Sequence, residues 1–156
     1  MGAARMSENG ASGGQTAEGA TKAAALFIDA VVWGEHHKVW ELIGAQGRDE
    51  VLEVAIKRGM DEGLANRLRA GTGSPSETNE FLADLVNGLR SELAGNDLDR
   101  VTFELDAAKS DSDRANVVMH VPLHPNLGGT LPIGTLELSS DGTSWRVERM
   151  IALTSK

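Results

Sequence analysis

The chain has no cysteine and no tyrosine, and aromatic residues make up only 4% of it. Without cysteine there can be no disulfide, no thiolate metal ligand and no cysteine nucleophile. No apolar run approaches the roughly 18 residues that a membrane-spanning helix needs, so no membrane partner is expected. Basic residues are also short: 15 Lys and Arg stand against 23 Asp and Glu, a net charge of −8. Nucleic-acid affinity comes largely from neutralising phosphates, and no Lys- or Arg-rich block supplies a local excess, so nucleic acid is not an expected partner. The opening residues MGAARMSENG lack the apolar stretch of a signal peptide, and the expected location is the cytoplasm.

What is present fits one ordinary domain. The 156 residues are 40% hydrophobic and 24% charged, close to a globular average. Residues 1–20 carry almost no large apolar side chain and read as a disordered tail, leaving 21–153 as a single domain. A first helix is expected from Thr21 to Trp33, with Phe27, Ala30 and Val31 on its buried stripe and Gly34 ending it. A second spans Glu35 to Ile43 with Val39, Trp40 and Ile43 on one side. A third starts near Arg48 and reaches Gly59, followed by a weaker piece with Met60, Leu64 and Leu68 four residues apart. Ser74, Pro75 and Glu77 then fill the N-cap, first-turn and N3 positions of a capping box. Phe81, Leu82, Leu85, Val86, Leu89 and Leu93 form the apolar stripe of that helix, and Gly95 stands where a C-terminal glycine belongs.

From residue 99 the apolar period changes to two. Val101, Phe103 and Leu105 mark a first strand, Asn116–Val121 a second, Leu131–Leu138 a third and Ser144–Ala152 a fourth. Pro122 to Gly129 reads as an irregular loop, and Ser140-Asp141-Gly142 as a hairpin turn. Short links between consecutive strands imply an antiparallel meander. The expected fold class is therefore α+β, with N-terminal helices packed on a curved four-stranded antiparallel sheet.

The helices first, and then a meander closing in Gly142-x-x-Trp145-Arg146-Val147, resemble the nuclear transport factor 2-like superfamily. Phe27 and Ala30, the break at Gly34-Glu35, Trp40, Gly134 and Leu136 carry the rest of the likeness, over roughly residues 22–152. The resemblance implies a cone in which a helical layer sits in the concave face of the sheet around a pocket. Its members include small isomerases, dehydratases and hydrolases as well as non-catalytic binding proteins, so the fold alone does not choose. A ketosteroid isomerase-like site pairs a carboxylate base with a tyrosine, and this chain has no tyrosine.

Candidate chemistry is sparse. None of His36, His37, His120 and His124 forms an i, i+4 pair, and His36 and His37 are expected to point about 100° apart on a helix, so neither a metal nor a cofactor is expected. No phosphate-binding glycine loop or nucleophile elbow occurs; the pairs Gly13-Gly14 and Gly128-Gly129 lack the context. If Val101, Phe103 and Leu105 face the helices, the matching sets are Val117, Met119 and Val121, then Leu136 and Leu138, then Trp145, Val147, Arg149 and Ile151. Arg149 is the one charge in those inward sets, with Asp29, Glu41 or Asp106 as candidate partners. It could anchor an anionic or carbonyl-bearing ligand, form a structural ion pair, or snorkel past the sheet edge. Trp33 and Trp40 could line a pocket mouth or belong to the core. His120 falls on the outer face beside Val118, Thr135 and Met150, a surface suited either to solvent or to a homodimer. The function expected is non-catalytic binding of a small apolar or anionic ligand or of a protein. The alternative is a small cofactor-independent isomerase, dehydratase or hydrolase using Arg149 and a carboxylate.

Overall fold

The computed structural model describes residues 17–123 and 128–153. Five helices precede four strands: α1 (Ala17–Val32), α2 (His36–Leu42), α3 (Ala45–Lys57), α4 (Glu62–Ala70) and α5 (Pro75–Glu92), then β1 (Thr102–Leu105), β2 (Arg114–Pro122), β3 (Thr130–Ser140) and β4 (Trp145–Ala152). The strands form one open antiparallel sheet in the order β1-β2-β3-β4. The α+β class and the meander are those expected.

Helix α1 starts four residues before the expected Thr21, and Ala20 is fully buried. Its alanines Ala20, Ala23 and Ala24 are all buried, and small side chains let a helix lie close on a sheet. Gly34, with φ 71°, turns the chain out of it. Helix α4 is capped by Asp61, whose carboxylate accepts from the Leu64 amide at 3.0 Å. Helix α5 carries the expected capping box: Ser74 Oγ accepts from the Glu77 amide and Glu77 Oε1 from the Ser74 amide, both at 3.1 Å.

The core divides into two clusters. In the larger, Phe27 and Val31 of α1 meet Val117 and Met119 of β2 and Leu136 and Leu138 of β3 in the concave face of the sheet. In the smaller, Leu52 of α3, Ala65 and Leu68 of α4, and Phe81 and Leu82 of α5 pack together. Fully burying one such large side chain contributes about 1.5–3 kcal/mol. Trp40 touches both clusters and joins them, its ring edge-on to Phe81 with centroids 5.3 Å apart.

The last strand departs from simple alternation. Glu137 pairs with Arg149 and Leu138 with Val147, so Glu148 has no residue opposite it and forms a bulge. Alternation holds through Trp145 and Val147, which are buried, and inverts beyond the bulge. Met150 turns inward opposite Leu136, while Ile151 is 42% exposed opposite Thr135. The inward places expected for Arg149 and Ile151, and the outward place expected for Met150, are therefore corrected by one extra residue. A single parallel bridge, Ile43 to Val147, also ties the α2–α3 junction to this strand.

Candidate functional site

The bulge borders a cleft between α3 and α5. Its extra residue, Glu148, points its carboxylate at the start of α3. There Oε1 accepts from the Gly47 amide at 2.7 Å, and Oε2 accepts from the Ser139 hydroxyl. A carboxylate at a helix N-terminus satisfies amides that have no partner inside the helix and meets the positive end of its dipole. Next along the strand, Arg149 bonds Glu50 of α3 at 2.9 Å. Two consecutive residues of β4 thus clip α3 to the sheet edge. Helix α3 packs on α4 and β4, whereas α5 packs on α1 and α2. A groove of about 630 Å³ is left between α3 and α5.

The apolar part of the groove's lining is Val51, Val54 and Ala55 from α3 and Phe81, Leu85 and Leu89 from α5, with Met150 from β4. Val54 is 47% exposed, a large apolar group left uncovered. The rim is acidic. Glu77, Glu80, Asp84 and Glu92 line it from α5, with Glu50 and Glu148 opposite; its cations are Arg58 and Arg149. Glu77 is bonded to Arg67 at 2.8 Å, a contact that holds its carboxyl below the usual carboxylate range. Residues 81, 85 and 89 form one row on α5, and residues 77, 80, 84, 88 and 92 form the adjacent row, because positions three and four apart share a helix face. Gly88 leaves a gap in the acidic row, and no atom lies within 4 Å of where its Cβ would stand.

Arg149 lies at the end of this groove, 50% exposed, rather than inside a cone. Its partners are Glu50 and, at 3.9 Å, Glu137, not the expected Asp29, Glu41 or Asp106. The Glu50 hydrogen bond and the charges of Glu50 and Glu137 raise its pKa. Trp33, at the end of α1, is 73% exposed and lines none of the described pockets. Trp40 is the joint between the clusters and lies under the Arg48 guanidinium, 5.1 Å from the ring centre. Neither tryptophan stands with Arg149.

His120 is on the outer sheet face as expected, with Nε2 3.2 Å from Glu104 and Nδ1 3.4 Å from the Thr130 hydroxyl. The rings of His36 and His37 are tilted by 40° with centroids 4.8 Å apart. His37 Nε2 bonds the Asn79 side chain at 2.7 Å. His124 lies outside the described residues. Among the described residues, no three His, Asp or Glu side chains are grouped to hold a metal ion, and no helix is long and apolar enough to cross a membrane.

The chain matches no model of a known protein family, and no curated protein is similar to it.

Proposed function

We propose that this chain is a non-catalytic binding module whose α3–α5 groove receives an amphipathic helix from a partner protein, with leucine-like anchors on one face and lysine or arginine along its flank. The observation that carries this reading is the pair of rows on α5. The acidic row from Glu77 to Glu92 extends about 22 Å and flanks the apolar row Phe81, Leu85, Leu89 over its whole length of about 12 Å, at roughly 1.5 Å per residue. A small cation would meet one or two of those carboxylates; a helix laid in the groove meets the whole row and the apolar lining together. Gly88 adds to this, because the open space at its Cα lets a second backbone approach.

The groove also contains Arg149 beside Glu50 and Glu148, the combination an acid–base enzyme would need. Arg149 and Glu50 are bonded to each other in contact with water, and the Glu148 carboxylate is engaged by Gly47 and Ser139. Binding is therefore the favoured reading. We keep the nuclear transport factor 2-like resemblance as part of the proposal. It is supported by α1 packing against the strands and by the Ile43–Val147 bridge, which stands between the early helices where that fold carries a short strand.

The test is a titration of the chain into a fluorescent synthetic helix of leucine and lysine, of the same length as α5. Saturable binding that weakens with salt supports the reading. Equal binding of a leucine–glutamate helix would remove its basis.

A further inference from the structure

On another side of α3 the charge is reversed. A pocket of about 360 Å³ is lined by Arg48 of α3, Arg69 of α4 and Arg146 of β4, with Asp49 the one acidic residue in its lining. Arg69 is paired with Asp49 and Arg146 with Asp141, whereas Arg48 has no carboxylate within ion-pair distance among the described residues. We propose that this pocket binds a phosphate group, carried by a small phosphomonoester.

The three guanidiniums are held in place by other partners. Arg48 donates Nε and Nη2 to the Trp40 carbonyl at 3.2 and 2.8 Å, and its face rests on the Trp40 ring. Arg146 donates Nε to the next carbonyl, that of Glu41, at 3.2 Å and Nη1 to Asp141 at 3.1 Å. Arg69 donates Nε to Asp49 and Nη1 to Asn66, both at 2.9 Å. Among the described residues, Nη1 of Arg48, Nη2 of Arg69 and Nη2 of Arg146 have no hydrogen-bond partner. Each arginine is oriented through part of its fork and keeps one terminal nitrogen free, so little side-chain freedom remains to be lost on binding.

Arg48 and Arg146 stand close enough for their like charges to interact, although Asp141 pairs with Arg146. Burial, and then the Arg146 charge, lower the pKa of Arg48, and the Glu41 charge offsets part of that. An anion between the two would offset that repulsion and make charge-assisted hydrogen bonds to both. A phosphomonoester offers three terminal oxygens to the three free guanidinium nitrogens, whereas a carboxylate offers two. Ile43 and Ala45 give the pocket a short apolar wall for the rest of a small ligand.

The proposal is tested with the intact chain at constant ionic strength, by calorimetric titration of inorganic phosphate, glycerol 2-phosphate and acetate. We expect saturable binding of the two phosphates and at least tenfold weaker binding of acetate. Arg69→Gln and Arg146→Gln should each weaken phosphate binding at least fivefold. Arg67→Gln, also on α4 but outside the pocket, should bind as the unaltered chain does; far-UV circular dichroism identifies any variant that has not folded, and the other then decides. Acetate binding as tight as phosphate, or unchanged binding by the folded Arg69 and Arg146 variants, would overturn the assignment.

Discussion

Two glycines on the walls of the groove offer the same substitution with opposite expected outcomes. Gly88 lies in the body of α5, its φ is not positive, and the space around a new Cβ is empty. Gly88→Ala therefore gains helix propensity without a clash and should stabilise the fold by about 0.5–1 kcal/mol. That corresponds to a melting temperature higher by about 1–4 °C. Gly47 on α3 gains the same propensity, but its Cβ would stand 2.7 Å from the Glu148 carbonyl oxygen and 2.8 Å from Ile43 Cγ2. Forcing α3 off β4 there adds overpacking of about 1–3 kcal/mol and weakens the hydrogen bond to the Glu148 carboxylate, a kind worth about 1.5–3 kcal/mol when lost outright. The net for Gly47→Ala is a loss of about 1–3 kcal/mol. Urea unfolding followed by tryptophan fluorescence, compared at unchanged slope, measures both. If Gly88→Ala destabilises the protein, the open groove wall is wrong; if Gly47→Ala leaves it unchanged, the close β4–α3 clip is wrong. The same Gly88→Ala protein should bind the leucine–lysine helix more weakly although it is more stable, because its new methyl group occupies the approach path.

Ser74→Ala removes one half of the α5 capping box and should lower stability by about 1 kcal/mol, read from the urea midpoint. Asp141, which accepts from the Thr143 and Ser144 amides, has a pKa held well below the usual carboxylate range by those hydrogen bonds. A depressed folded-state pKa means the unfolded chain binds more protons, so this contribution is present above the unfolded value near 3.9 and fades as pH falls below it. Asp141→Asn should therefore flatten the decline of stability below about pH 4 in acid titrations followed by circular dichroism. An unchanged acid limb would mean that the turn does not hold the carboxylate as described.

Much of the fold was readable because its signals are local. The α5 capping box lies within four residues, and alternation in β1 and β2 needs only a half-buried sheet. What escaped depends on distant partners. Helix α3 begins at Ala45 rather than near Arg48 because its N-terminus is satisfied by Glu148, 101 residues from Gly47. The bulge that places Glu148 there is also why parity misplaced Arg149, Met150 and Ile151. The acidic row on α5 was visible at three- and four-residue spacing, but its meaning depends on α3 standing opposite. The arginine pocket draws on α3, α4 and β4, and no spacing in the chain joins Arg48, Arg69 and Arg146.

Heteronuclear NMR of the labelled protein during titration with the leucine–lysine helix tests the central claim most directly. The account expects the largest shift changes at Val54, Ala55, Leu85, Gly88 and Leu89, and at least a tenfold loss of affinity in Glu80→Lys/Asp84→Lys. Perturbations confined to Val118, Thr135 and Ile151 on the outer sheet face, with affinity unaffected by the double reversal, would contradict it.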